Sequence, residues 1–362
     1  MTYIMSRRLG LRQFWLGDLM VSQEGRTRPE ISLPGRFDPR LPAVPQELAE
    51  LRQKLVVFNP RVVAAWAGRM VVASTVMSAI AEIADGFPSA EQIQAQIAGI
   101  GLSQDELDKV SLMFWSISEI GPGVRRNETH YLQVHAANIP NPSPDNLLIY
   151  SGSGAFHFLD IVTDDRHELE RPLLSGADQP LDEGEWRLID ALSGHIMRAA
   201  QVLHDEMVDE VVHAFRYGGG FELIWETERG LEKLPMSQVF WRETKDTIEL
   251  VGPIITQQYS PGGTLFIRRF HLQGEEWVQE VFPVHPPQGG RVEQCDTEAD
   301  VFTTSTVHFF MGESTTKIVH AFGPDPIIRL HFDGRTMTMR AKQELFSRLA
   351  NWPAKGQGHA RT

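Results

Sequence analysis

The sequence predicts an α+β protein with a β-rich C-terminal region. Strand-like segments alternate with helical ones from the N-terminus to about position 241, and strand-like runs dominate after about position 247. At 362 residues the chain has room for one large or two ordinary domains. We predict two regions, 1–245 and 246–362, which correspond to these two patterns of predicted elements.

The elements of the first region follow from local patterns. Five prolines, at positions 29, 34, 39, 42 and 45, predict an extended surface insert over 26–46. Strands are predicted within 3–22, within 54–67 around a turn at Asn59-Pro60, and at 131–137, 147–150, 221–225 and 239–241. Helices are predicted at 70–83, 89–100, 103–120, 155–162 and 183–215. Serine caps at Ser89 and Ser103 mark the start of two of these helices.

The second region has six strand-like runs separated by Gly, Pro and Asp turns. These runs are 247–251, 264–272, 277–284, 301–310, 317–322 and 327–332. A last helix is predicted at 340–351. The region is expected to be either an appended domain or an extension wrapped around the first region.

Composition narrows the function classes. The net charge of −13 argues against a general nucleic-acid binder. A single cysteine, Cys295, excludes an internal disulfide framework and fits a reducing cytoplasm. The longest apolar stretch, 62–81, contains Arg69 near its middle, and a central arginine makes a membrane span costly. We therefore expect a soluble cytoplasmic protein without a signal peptide or membrane span.

A nucleophile motif is present at the N-terminus. Removal of Met1 would leave Thr2 with a free amine and a hydroxyl, a nucleophile and its base in one residue. Asp18 lies sixteen residues after Thr2, Lys54 lies fourteen residues before Gly68, and a Tyr-Ser-Gly-Ser-Gly-Ala run occupies 150–155. Together, over positions 2–241, these landmarks resemble the β-type proteasome subunits, most closely the bacterial ancestral-β (Anbu)-like type.

The resemblance implies a fold and a role for each residue. The fold is the four-layer αββα sandwich of N-terminal-nucleophile (Ntn) hydrolases, here with a β-rich C-terminal extension. Thr2 is implied as the nucleophile, with Lys54 beside it and Asp18 holding the lysine. The backbone N–H of Gly68 is implied as the oxyanion donor. Ser153 is implied to hydrogen-bond the Thr2 amine.

The sequence departs from this family in two places. Trp66 and Met70 flank Gly68 where the family lines its substrate pocket, and both are bulky enough to narrow it. The family also has an aspartate and a serine after its long helix. Here the aspartate position holds His213 or Phe215, and the serine position holds Arg216 or Gly218.

We therefore predict a threonine peptidase or amidohydrolase that uses Thr2, acts on a peptide or protein and forms a homo-oligomer. The alternative is a catalytically inactive scaffold whose C-terminal region binds a partner, and a non-peptide amide substrate also stays open. Four histidines on separate predicted strands could converge on a metal ion: His271, His308, His320 and His331. No carboxylates at suitable spacing accompany them, so no metal or cofactor is predicted.

Overall fold

The structure is a computed structural model that describes 19 segments of the chain. They are residues 3–9, 12–22, 34, 48–86, 88–121, 124–132, 135–136, 146–152, 154, 168–169, 173–174, 183–208, 219–227, 230–244, 247–288, 295, 301–312, 316–323 and 328–341. Most of the proline-rich insert, the predicted helix 155–162 and the segment 213–218 lie outside these residues.

The described residues form 23 strands and four helices. Up to the long helix the strands are β1 (Ile4–Leu9), β2 (Arg12–Asp18), β3 (Met20–Ser22), β4 (Leu48–Leu51), β5 (Leu55–Asn59), β6 (Val62–Gly68), β7 (Val110–Gly121), β8 (Val124–Leu132), β9 (His135–Ala136), β10 (Asn146–Ser151), β11 (Glu168–Leu169) and β12 (Leu173–Leu174). The helices are α1 (Met70–Ala84), α2 (Ala90–Gly99), α3 (Gln104–Leu107) and α4 (Glu183–Val208). The later strands are β13 (Phe221–Thr227), β14 (Gly230–Lys233), β15 (Ser237–Glu243), β16 (Ile248–Tyr259), β17 (Leu265–Gln273), β18 (Glu276–Val284), β19 (Val301–Thr303), β20 (Ser305–Met311), β21 (Thr316–Phe322), β22 (Ile328–Phe332) and β23 (Met337–Ala341).

The strands form five sheets within the described residues. A six-stranded sheet has the order β14-β13-β2-β1-β10-β9, and a four-stranded sheet has the order β5-β6-β7-β8. An eight-stranded sheet has the order β11-β21-β20-β15-β16-β17-β18, and β12 also pairs with β21. The two remaining sheets are β19-β22-β23 and β3-β4.

Strands buried on both faces hold the first part of the chain together. Along β7, Leu112 and Phe114 pack in a cluster with α1 and α2, whereas Met113 and Trp115 pack in a second cluster with the six-stranded sheet. Successive side chains of a strand point to opposite faces, so a strand between two layers has an unbroken apolar sequence. The four-stranded sheet therefore lies between two helices and the six-stranded sheet.

The other face of the six-stranded sheet packs in one cluster with α4 and the eight-stranded sheet. Phe14 of β2, Leu192 of α4 and Phe309 of β20 all belong to this cluster and are fully buried. The C-terminal strands thus share a core with the N-terminal ones. The division at residue 245 stays a prediction; β15 and β16, on either side of it, are paired.

The predicted four-layer αββα sandwich is wrong. Over the part of the chain that the structure describes, 56% is strand and 22% is helix, and the strands form several separate sheets. Two segments account for the error. The segment 103–120, predicted as helix, contains the short α3 followed by most of β7. It was mistaken for a helix because β7 is buried on both faces and so lacks the apolar–polar alternation that identifies a strand. The segment 239–241, predicted to close the sandwich, belongs to β15 in the eight-stranded sheet.

Other local predictions are confirmed. The turn at Asn59-Pro60 joins β5 to β6, and α1 occupies the predicted helix. Ser89 and Ser103 both form capping boxes with the residue three positions later. All six C-terminal runs coincide with strands. The predicted last helix is not borne out at its start, since residues 340 and 341 belong to β23; residues 342–351 lie outside the described part.

Candidate functional site

The candidate site begins where the chain enters the six-stranded sheet. Strands β1 and β2 pair antiparallel with Ile4 opposite Gly17, so the next position brings Tyr3 to Asp18. The Tyr3 N–H donates to Asp18 Oδ1 at 2.8 Å, and the Asp18 N–H donates to the Tyr3 carbonyl at 3.0 Å. The Asp18 carboxylate thus binds the backbone one residue after Thr2. Thr2 itself lies outside the described residues.

Lys54 extends its ammonium to the same carboxylate. Its Nζ lies 3.4 Å from Asp18 Oδ1 and donates to the Met20 carbonyl at 2.6 Å, and both ionic side chains are fully buried. The Nζ also lies 5.2 Å from the ring centroid of Trp66, a cation–π contact. Burial lowers the pKa of Lys54, whereas the charges of Asp18 and Glu222 oppose that change.

Glu222 holds the backbone at this lysine, and sequence reasoning missed it. It lies on β13 with no exposed surface, and its Oε1 accepts from the N–H groups of Lys54 at 2.5 Å and Leu55 at 3.0 Å. Its Oε2 accepts from Lys233 Nζ at 2.8 Å. The available signal was one acidic residue inside the apolar run 221–225, since a charge is rarely buried without partners.

Gly68 ends β6 in a conformation that demands glycine. Its φ is +105°, and a Cβ there would meet the Lys109 carbonyl oxygen at 2.3 Å. The residue is exposed and lies two positions after Trp66. This close backbone approach explains the glycine without reference to catalysis, and its oxyanion role stays a prediction.

The two residues predicted to line a substrate pocket, Trp66 and Met70, pack in the hydrophobic core. Trp66 is fully buried and donates from Nε1 to the Gln53 carbonyl at 2.9 Å. Met70 starts α1 and packs, half-buried, against the cluster that contains Trp66. The indole is thus a packing partner of Lys54, and its role in a substrate pocket stays a prediction.

Ser153 lies outside the described residues, but the strand before it adjoins β1. Ser151, at the end of β10, pairs with Ile4. Its hydroxyl donates to the hydroxyl of Ser111 on β7 at 2.7 Å. Residues 213–218, where the family has an aspartate and a serine, also lie outside the described part. The absence of that pair therefore stays an interpretation of the sequence.

Two of the four histidines considered as metal ligands, His308 and His320, have other partners. His308 Nδ1 accepts from Trp241 Nε1 at 3.0 Å. His320 contacts the hydroxyls of Ser305 at 2.9 Å and Ser193 at 2.7 Å. Within the described ranges, His, Cys, Asp and Glu form no group of three placed to hold a metal ion.

Comparison with known proteins assigns no family. No protein-family model matches the chain, and no curated protein matches it. Among the helices in the described part, none combines the length and apolar character needed to cross a bilayer.

Proposed function

We propose that the protein is an amide hydrolase of the N-terminal-threonine type, with Thr2 as nucleophile after removal of Met1. The observation that carries the proposal is the Asp18 carboxylate, which binds both the Tyr3 N–H and the Lys54 ammonium. A peptide bond joins Thr2 to the Tyr3 nitrogen. The Lys54 ammonium, which the same carboxylate binds, is therefore inferred to lie near Thr2. The proposal rests on this chemistry and not on the predicted sandwich, since one reaction can occur on unrelated folds.

The mechanism assigns each step to a group of this chain. The α-amine of Thr2 takes the hydroxyl proton, and the hydroxyl oxygen forms a bond to the substrate carbonyl carbon. The Gly68 N–H stabilises the oxyanion, and the C–N bond then breaks as the α-ammonium returns its proton to the leaving amine. Water hydrolyses the resulting ester and frees Thr2.

The roles of Lys54 and Asp18 are electrostatic. A buried ammonium close to Thr2 favours the neutral amine and stabilises the developing alkoxide. Asp18 compensates this charge, and the Met20 carbonyl fixes the ammonium position. Glu222 anchors the backbone of Lys54, so it positions the lysine without touching substrate.

The proposed substrate is a peptide or protein. The buried Trp66 and the bulk of Met70 suit a small amide equally well, so a non-peptide substrate is part of the same test. The resemblance to β-type proteasome subunits supports a homo-oligomer. The single cysteine supports a cytoplasmic location.

A catalytically inactive scaffold is the second candidate function. The Asp18–Lys54 pair is completely buried, and this favours the scaffold because complete burial is also expected of an ion pair that only stabilises the fold. Under this alternative the wild-type protein hydrolyses no amide, so substitutions at Thr2 have no measurable effect on turnover.

Turnover by Thr2 variants tests the proposal. A panel of fluorogenic peptide amides and small amides is assayed with wild type, Thr2→Ala, Thr2→Ser and Lys54→Met. We expect Thr2→Ala to lose about 10³-fold or more in kcat/KM, and Thr2→Ser to retain part of the activity because it keeps a hydroxyl. Lys54→Met keeps the length of the side chain but removes the charge, so it should resemble Thr2→Ala. Equal hydrolysis by Thr2→Ala and wild type would show that Thr2 is not the nucleophile.

A further inference from the structure

A pocket lies beside Lys233, where β14, β5 and two turns meet. It has a volume of about 340 Å³, within the range of small-molecule sites. Strand β14 contributes Lys233, β5 contributes Val56 and Val57, and the two turns follow β16 and β18. Among the residues that the structure describes, none of those predicted for the Thr2 site lines this pocket. It is therefore a second candidate site.

The Lys233 ammonium lies at the wall of this pocket. Its Nζ donates to Gln53 Oε1 and lies 4.8 Å from the ring centroid of Tyr259, and both partners also line the pocket. The Lys233 side chain keeps 13% of its surface accessible. Lys54, the other lysine paired with this buried charge network, is fully buried and does not line the pocket. A small molecule in the pocket can thus reach the amine of Lys233 but not that of Lys54.

A fully buried carboxylate lies next to this amine. Glu222 has no exposed surface, and its Oε2 accepts from Lys233 Nζ at 2.8 Å. Burial lowers the pKa of Lys233, although the charge and the hydrogen bond of Glu222 oppose that change. A lysine that gives up its proton more easily is a better nucleophile, because only the neutral amine can attack a carbon atom. Glu222 is placed to take that proton.

The burial of Glu222 determines which reaction suits this amine. Acylation would turn Lys233 into a neutral amide and leave the Glu222 carboxylate buried without its cation, which is strongly unfavourable. Condensation with an aldehyde instead ends in a protonated imine, which keeps the positive charge on the nitrogen beside Glu222. The ion pair is therefore preserved with an aldehyde and lost with an acyl donor.

The pocket walls indicate the kind of aldehyde. Val56, Val57 and Leu231 line the pocket with apolar side chains, which suit a short hydrocarbon chain. Glu232 also lines the pocket, and its charge disfavours an aldehyde that carries a carboxylate. The lining therefore favours a small apolar aldehyde.

We propose that Lys233 forms an imine with a small apolar aldehyde bound in this pocket. Glu222 accepts a proton from the ammonium, and the amine nitrogen then bonds to the aldehyde carbon. The former carbonyl oxygen gains the proton from Glu222, and the nitrogen gives another proton to the carboxylate. The hydroxyl takes that proton and leaves as water while the C=N bond forms. The product is a protonated imine paired with the Glu222 carboxylate, and no oxidant or reductant is consumed.

Reductive trapping with butanal tests the proposal. Wild type is incubated with butanal and cyanoborohydride, which reduces an imine to a stable secondary amine, and the label on each lysine is followed by peptide mass mapping. We expect Lys233 to be labelled about tenfold or more faster than Lys109, which is exposed, and Lys317, which pairs with Glu243 outside the pocket. Lys54 should stay unlabelled, because it is buried away from the pocket.

Two variants and an acyl reagent serve as controls. Lys233→Arg keeps a positive charge beside Glu222 but forms no imine, so the label at this position should disappear while the circular dichroism spectrum stays unchanged. Val57→Phe narrows the pocket and leaves the lysine in place, so labelling of Lys233 should slow to about the rate of Lys109. N-acetoxysuccinimide, which acylates amines, should show no preference for Lys233 over Lys109.

Any of three results would overturn the proposal. The first is labelling of Lys233 by butanal no faster than that of Lys109 and Lys317. The second is unchanged labelling of Lys233 in Val57→Phe, and the third is acylation of Lys233 with the same preference as reductive trapping. Thr2→Ala protein should be labelled at Lys233 like wild type, so failure of this proposal is distinguishable from failure of the proposed hydrolysis.

Discussion

Two buried histidines predict that acid destabilises the fold. Burial lowers the pKa of His308 to about 3, with a further contribution from His320, and burial lowers that of His320 to about 3. Both side chains lie in the eight-stranded sheet with no exposed surface. Because their pKa values in the folded chain are below the ordinary value of about 6.5, their stabilising effect is present above pH 6.5. It is lost progressively as the pH falls from 6.5 towards about 3.

The size of the effect follows from these pKa values. At pH 5 each imidazole is protonated in the unfolded chain and neutral in the folded one, which costs about 2 kcal/mol of stability per histidine. The two together cost about 4 kcal/mol. Typical domains have only about 5–15 kcal/mol of stability, so the loss should be readily measured.

Urea unfolding at pH 7 and pH 5, followed by tryptophan fluorescence, measures this loss. The double variant His308→Gln, His320→Gln should lose about 4 kcal/mol less than wild type between the two pH values. Ser305→Ala is the control, since it removes a hydrogen-bond partner of His320 and keeps both imidazoles. Its pH dependence should stay close to that of wild type. If the double variant loses as much stability as wild type on acidification, the assignment to these histidines fails.

Three further substitutions test the account of packing and charge, each by urea unfolding at pH 7. Asp18→Asn should destabilise by about 3–5 kcal/mol, because it leaves the buried Lys54 ammonium without its carboxylate; an unchanged midpoint would contradict this. Gly230→Ala should cost several kcal/mol, roughly 3 or more, because its φ is +124° and a Cβ would lie 2.1 Å from the Pro60 oxygen. Gly194→Ala is the matched case in α4 with open space around the Cβ, and it should stabilise by about 0.5–1 kcal/mol. A loss of stability in Gly194→Ala would argue against the packing described for α4.

Local signals predicted the local structure well. The Asn59-Pro60 turn, the serine caps and the C-terminal strands depend on residues close in sequence, so short patterns are sufficient to find them. The segment that became β7 was misassigned because both of its faces are buried, which removes the alternation that identifies a strand.

Long-range placement was beyond these patterns. The eight-stranded sheet pairs β15 with β20 in parallel, across more than sixty residues of chain, and no short motif specifies such a pairing. The interpretation of Asp18 and Lys54 as one site came from spacing and resemblance, and their catalytic role stays a prediction. Glu222 and Lys233 were missed because the first lay within an apolar run and the second in an unremarkable segment. Only the tertiary structure brings them to Gln53 and the pocket.

Intact mass spectrometry before and after treatment with a β-lactone or epoxyketone probe tests the central claim most directly. The account predicts a protein that lacks Met1 and gains one covalent adduct, mapped by fragmentation to Thr2, while Thr2→Ala gains none. Retained Met1, or an adduct of equal yield on Thr2→Ala, would contradict an N-terminal threonine nucleophile.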